Sequence, residues 1–454
     1  AEPPEFRSTK HEARQHYGGM LLAAMMASMP APNTLTATEL AQQIDSGAVT
    51  AEKIVRAHLD RIDKRDGDVL AWSHLARDAA LEIARVLDRG PRRGLLHGIP
   101  VAVKDIIDSH DQPTTYGSPI YKTHQPLADA ATVALARGAG AILLGKTVTT
   151  EFANRFPGPT KNPHNPAHTP GGSSSGSAAA VADFQVMLAT GTQTGGSVIR
   201  PAAFCGVVGY KPTYGHFPTA GMKANTEWLD TIGAYARSVE DIALFRAALM
   251  AIPFAPVAKL GSPPRIAVCF THHRDELSTE GTKAVNDAAA ALAKAGAQVR
   301  EIELPAPVRD MTEGQKTLSA FDGPRAHADE ARRFPHLLST SLKKDKLEAG
   351  SKIDYATWVA ARKLGETGRA AVDALFGEID VILTAPAKGE APLGLERTGD
   401  ATFNLLWTYL WMPCITLPFA KGLTSLPVGI QLVGRQHEDA RLLEIAAWAR
   451  SVLS

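Results

Sequence analysis

Short apolar runs recur along this chain, and most are separated by stretches periodic enough for a helix. The runs are Ile99–Val103, Ala141–Leu144, Val186–Ala189, Ile266–Phe270, Val299–Leu304, Val381–Thr384 and Val428–Val433. Strands alternating with helices pair into a mostly parallel sheet, and both faces of such a sheet must be covered. The sequence therefore predicts an α/β fold with a large, mostly parallel mixed sheet between helical layers. Helix signals fit between the runs. Thr36-Ala-Thr-Glu39 is a capping box. Ile54, Val55, Leu59 and Ile62 recur at helical spacing, 130–137 stops at Gly138, and Ser177–Ala182 is small and helical. The last helix is expected from Asp439 to Ser451.

At 454 residues the chain is long for one core, yet no repeat or linker divides it. One domain is expected over 35–454. Within it, about 306–378 is more charged and lacks strand signals, and reads as a helical excursion shaping a substrate entrance. An arm over 1–34 precedes the domain. Its Gly19–Met29 segment follows Arg7, Lys10 and Arg14 and so resembles a signal peptide. We read it instead as an amphipathic helix, with the residues before Met20 open to being an added leader. A formal charge of +1 argues against a nucleic-acid partner. No apolar run approaches the roughly 20 residues needed to span a bilayer. Cys205, Cys269 and Cys414 are scattered with no CxxC pair, which disfavours zinc or disulfide frameworks and fits a reducing, cytoplasmic setting.

The richest stretch is Thr169–Ser197. It holds Pro170-Gly-Gly-Ser173-Ser-Ser-Gly-Ser177, an apolar strand, then Gly191-Thr-Gln193-Thr194-Gly195-Gly196-Ser197. Glycines permit backbone shapes that side chains forbid, and they let successive N–H groups converge on one anion or developing oxyanion. Both loops abut apolar segments, so a flexible linker is disfavoured, and catalysis is preferred to a simple anion nest. This chemistry gives a serine on an oxyanion-forming loop with no base assigned.

The sequence resembles the amidase signature family. The resemblance rests on Gly98-Ile-Pro-Val-Ala-Val-Lys104-Asp105, Gly140–Thr147, Glu151-Phe-Ala153, Pro170–Ala180, Gly195-Gly-Ser197-Val-Ile-Arg200-Pro, Phe204-Cys-Gly206, Gly209-Tyr-Lys-Pro-Thr213 and Leu426–Leu432, and covers about Leu35 to Leu453. It implies Ser197 as nucleophile, Ser173 as bridging serine after a cis peptide, and Lys104 as base, with 24 residues between the serines. It also implies an amide hydrolase working without metal or cofactor. A neutral lysine, favoured by burial after an apolar strand, would draw the proton of Ser197 through Ser173. The N–H groups of Thr194, Gly195, Gly196 and Ser197 would hold the oxyanion.

Other motifs are set aside. Gly140–Thr147 fits the Walker A expression, but its middle is itself a buried strand, so Lys146 is read as structural or as a surface residue. Cys205 has no nearby histidine and reads as a buried hydrophobe. His272-His273 lacks a ligand pattern. Asp105 is expected to bond backbone near Lys104, Ser174 and Ser175 to support the site, and Arg200 to anchor its helix by an ion pair.

Three positions depart from the family pattern: Gln193 where aspartate is common, Val148 where asparagine is frequent, and Trp411 in a Leu410-Trp-Met-Pro413 element where glycine is common. Tyr116, Asn154, Arg155, Phe156, Gln193, Trp228 and Trp411 are candidate pocket residues. The leading expectation is a free-standing monomer or homodimer cleaving small-molecule amides, with aryl amides, esters and carbamates in range. The rivals are the glutamine-hydrolysing component of a tRNA-dependent amidotransferase and a non-catalytic scaffold.

Overall fold

The structure, a computed structural model, describes residues 30–309 and 311–454. The expected N-terminal helix and leader lie outside the described residues. In chain order the elements begin with α1 (Ala37–Asp45), α2 (Ala51–Val69), β1 (Trp72–Leu75), α3 (Arg77–Arg89), β2 (Pro100–Lys104), α4 (Ala131–Gly138) and β3 (Ile142–Thr147). Then come α5 (Ser175–Ala182), β4 (Leu188–Gln193), α6 (Ile199–Cys205), β5 (Val208–Lys211), β6 (Thr231–Ala236), α7 (Val239–Met250), β7 (Arg265–Val268), α8 (Thr279–Lys294) and β8 (Gln298–Glu301). Five helices follow: α9 (Ala306–Arg309), α10 (Thr312–Ala326), α11 (Ala328–Arg333), α12 (Thr340–Leu342) and α13 (Tyr355–Leu375). The chain closes with β9 (Val381–Thr384), α14 (Thr402–Tyr409), β10 (Cys414–Lys421), β11 (Pro427–Val433) and α15 (Asp439–Leu453).

All eleven strands form one sheet in the order β1-β3-β2-β4-β6-β5-β10-β11-β9-β7-β8. This is the α/β fold expected, with one correction. Only β2–β3, β2–β4, β7–β8 and β7–β9 are parallel; the six other pairs are antiparallel. The reason is local. The strands β1, β5, β6 and β10 carry glycine, proline or polar residues and do not announce themselves as apolar runs, and every antiparallel pair but β9–β11 uses one of them.

Alternation along β2 shows why both faces are covered. Val101 and Val103 join a core with Phe245 and Leu249 of α7, whereas Ala102 joins one with Val55 and Leu59 of α2 and Val181 of α5. A third core lies under the helices between β8 and β9. It unites Val308, Met311, Leu318, Ala361 and Val372 with Ile199, Trp228, Trp407 and Tyr409. Gly365 of α13 sits where a Cβ would lie 2.7 Å from the Trp228 ring. Only a missing side chain lets α13 approach that ring.

Candidate active site

Lys104 ends β2 with its side chain fully buried. Its Nζ lies 2.8 Å from Ser173 Oγ and 2.7 Å from Thr192 Oγ1, and its backbone N–H donates to Thr190 Oγ1 at 3.1 Å. Thr190 and Thr192 alternate along the adjacent strand β4, so both hydroxyls face the lysine. Burial drives Lys104 well below the ordinary lysine range, opposed by the field of Asp230. Among the described residues no carboxylate pairs with it. Burial therefore favours the neutral amine.

Ser173 is buried and follows a cis Gly172–Ser173 peptide. The Gly172 carbonyl accepts from Arg200 Nη2 at 2.5 Å, and the Ser173 carbonyl accepts from Thr150 N–H at 3.2 Å. Arg200 also reaches Thr398 Oγ1 at 3.3 Å. It makes no ion pair among the described residues, so the expected anchoring carboxylate is replaced by the carbonyl next to Ser173.

Ser197 is half-buried at the turn from β4 into α6. The loop before it is pinned by its carbonyls. Thr194 C=O accepts from Gln315 Nε2 (2.8 Å), Gly195 C=O from Thr408 Oγ1 (2.7 Å) and Gly196 C=O from Arg200 N–H (3.0 Å). The Ser197 C=O accepts from Tyr235 O–H at 3.1 Å. Among the described hydrogen bonds none uses the N–H groups of residues 194–197, and none reaches the Ser197 hydroxyl. Thr194 O–H donates to Asp230 at 2.5 Å, and the other Asp230 oxygen accepts the N–H groups of Asn225 and Thr226.

Gln193 lies behind this loop. Its Oε1 accepts from Val198 and Ile199 N–H (2.8 and 3.1 Å), and its Nε2 donates to Thr408 Oγ1 (2.9 Å). It is 1% exposed, so it fastens the loop instead of lining a pocket. An aspartate there would accept from the same N–H groups but could not donate to Thr408.

The other pocket candidates divide. Trp228 and Trp411 come together, with ring centroids 4.8 Å apart and Trp411 Nε1–H donating to the Trp228 carbonyl at 2.8 Å. Trp411 has φ +63°, the left-handed region that favours glycine. Tyr214 stacks on it at 4.5 Å. Asn154 meets Asn225 at 3.4 Å, beside the Asp230 turn. Tyr116 is buried, its hydroxyl donating to Asp108 at 2.8 Å. Arg155 and Phe156 are exposed, Arg155 lying 3.6 Å from Asp345.

The remaining motifs are structural. Lys146 is fully buried in β3, donating to Ile107 C=O (2.5 Å) and Thr114 Oγ1 (2.7 Å). That excludes the surface alternative for it. Asp105 accepts from Thr115 N–H and O–H (3.0 and 2.5 Å) and lies 3.9 Å from Lys146. Ser174 ties α5 to the backbone of Thr192, accepting its N–H at 3.1 Å. Burial pushes the Cys205 thiol far up, which removes it as a nucleophile. Sequence reasoning missed Thr192, Asp230, Gln315 and Thr408. Only Thr192 left a signal, as one of two alternating hydroxyls in an otherwise apolar strand.

A family model described as Amidase matches residues 53–443. The chain belongs to the amidase family, and its chemistry is that of a carbon–nitrogen amide hydrolase or amidotransferase. The A-type subunit of glutamyl-tRNA(Gln) amidotransferase from Koribacter versatilis is 32% identical across 91% of this chain and 97% of its own length. The protein of the same name from Thermobifida fusca is 47% identical, over 47% of this chain and 45% of its own. A solved amidase aligns at 29% identity with a TM-score of 0.84, covering 92% of this chain and all of its own.

Proposed function

We propose that the chain cleaves a carboxamide by acyl transfer to Ser197, with Lys104 as base and Ser173 as bridge. The observation that carries this reading is a fully buried lysine, without a counter-charge among the described residues, 2.8 Å from a serine hydroxyl. As a neutral amine, Nζ donates to Thr192 and offers its lone pair to the Ser173 O–H. Ser173 then takes the proton of Ser197 as the Ser197 oxygen bonds to the substrate carbon. Reaction contacts of this kind are often longer in a free enzyme than in the substrate complex, and Ser197 must turn toward Ser173 for the relay to close. The N–H groups of 194–197 receive the oxyanion, the relay returns its proton to the departing nitrogen, and water releases the acid.

The amide is the finer question. The curated relatives are named as subunits of a glutamyl-tRNA(Gln) amidotransferase, and this supports glutamine as the amide, with ammonia passed to a partner subunit in the cytoplasm. The Trp228–Trp411 wall supports the alternative of a free-standing amidase for aryl or aliphatic amides, esters or carbamates. Hydrolysis of glutamine, anilides, aliphatic amides and carbamates is compared for the chain alone and with amidotransferase partner subunits. Glutamine hydrolysis appearing only with partners establishes the first reading. Turnover of anilides or carbamates by the chain alone, with glutamine untouched, establishes the second. A fluorophosphonate that labels a residue other than Ser197 overturns the nucleophile assignment.

A further inference from the structure

Two arginines of α13 lie against the aromatic wall. Arg369 sits 3.8 Å from the Trp411 ring centroid and 4.8 Å from that of Trp228. Arg362 sits 5.5 Å from Trp228 and 4.9 Å from Trp358. They are seven residues apart, two helical turns on one face. Neither forms an ion pair among the described residues, although most arginines of this chain that touch one carboxylate touch it within 3.3 Å. Arg362 Nε and Arg369 Nη1 are buried with no hydrogen-bond partner among the described residues. Glu366 acts on Arg369 through its field, without an ion pair between them.

Burial lowers the proton affinity of Arg369, Glu366 and Tyr409 oppose that, and Arg362 adds to it. An indole face near each guanidinium favours the cation, and Arg362 Nε and Arg369 Nη1 remain as N–H donors for a planar carboxylate. The wall is joined to the nucleophile loop at two points. Thr408, three residues before Trp411, donates to Gly195 C=O, and Asp230, two residues after Trp228, accepts from Thr194.

We propose that Arg362 and Arg369 form an anion subsite that recognises a carboxylate on the substrate, so that the preferred substrates are amides bearing a second, ionised carboxyl group. The subsite rests on the reading of Ser197 as nucleophile only for its use in turnover; anion binding itself is independent of it.

Tryptophan fluorescence of the full chain is titrated with glutarate. Saturable quenching is expected, weakened at least ~10-fold in Arg369→Gln and Arg362→Gln with the thermal midpoint unchanged, and less in Arg369→Lys, which keeps the charge. Absence of saturation, or equal binding by wild type and both glutamine variants, overturns the proposal. Hydrolysis is then compared for glutaryl against pentanoyl 4-nitroanilide, and for 4-acetamidobenzoate against 4-methylacetanilide. Arg369→Gln is expected to lower kcat/KM about 10–100-fold on the charged member of one pair, mainly through KM, and under about twofold on its neutral partner. Equal losses on charged and neutral members overturn it. Glutarate binding lost in the variants, combined with no cleavage of any of the four amides, leaves the anion site standing and removes the catalytic reading instead.

Discussion

At the scale of single residues, the site depends on charges and donors that the fold holds in unusual states. In the proposed mechanism Lys104 must be unprotonated, and burial lowers its proton affinity. The acid limb of kcat/KM should therefore rise as Lys104 loses its proton, well below the ordinary lysine range. The stability sign follows. Between the folded and unfolded values the unfolded chain holds more protons at this position, so its contribution to stability increases with pH up to about 10.4. Lys104→Met should abolish turnover and flatten the rise of urea-measured stability with pH below about 10.4; an unchanged slope would place the acid limb on another group. Gln193 is the second case. Gln193→Ala orphans the N–H groups of Val198 and Ile199 and should cost about 2–3 kcal/mol in urea denaturation, with kcat falling more than KM. Trp411 is the third. At φ +63°, Trp411→Gly should be more stable than Trp411→Ala by about 1 kcal/mol, although both lose the same ring. Of the proposed triad only Ser197, on its glycine loop, announced itself by its chemistry; Ser173 came with the family resemblance. Lys104 came from family resemblance, because its dry setting depends on α5 and β4 folding over it. The fastening role of Gln193 was hidden because Thr408 lies 215 residues away.

At the scale of elements, apolar runs were legible and mixed strands were not. Val381–Thr384 was read with its observed ends, because nothing but apolar packing defines it. Strand β6, Thr231–Ala236, was missed because glycine and threonine interrupt it, yet it carries Tyr235 against Ser197. The carboxylate of Asp439 shows how one side chain can join elements distant in sequence. It starts α15 and accepts from Tyr210 O–H at 2.5 Å and from Thr213 N–H at 2.9 Å, and it lies 3.2 Å from His216. Burial pushes its proton affinity up, but His216, Thr213 and Tyr210 outweigh burial and hold it at about 2. A folded value below the unfolded one stabilises above pH 4, and that contribution is lost as pH falls toward 2. It is worth about 2 kcal/mol. Asp439→Asn should lose about 3 kcal/mol at pH 7. It should also lack the steep fall in stability between pH 4 and 2 that wild type shows. Parallel urea-midpoint curves for the two proteins would mean that another carboxylate governs acid unfolding.

At the scale of the whole molecule, the helices between β8 and β9 share a core with the elements that follow Ser197 and flank its loop. Val308, Met311, Leu318 and Val372 pack with Ile199, Trp228, Trp407 and Tyr409, and Gln315 of α10 holds the Thr194 carbonyl two residues before Gly196. Removing these helices from contact would expose Trp407 and Tyr409, both fully buried, and release the loop before Ser197. Such a shared core makes separate melting of the helical segment unfavourable, because no cut through it leaves two closed apolar surfaces. Unfolding in urea should therefore be a single transition. Amide hydrolysis, near-UV circular dichroism from the wall tryptophans and far-UV circular dichroism from the sheet and helices should share one midpoint. Loss of the near-UV signal and activity at lower urea, with the far-UV signal retained, would show that the segment opens as a unit. In that case the helices between β8 and β9 would act as a movable layer against Trp228, and their opening would free the Thr194 carbonyl from Gln315 and loosen the loop before Ser197.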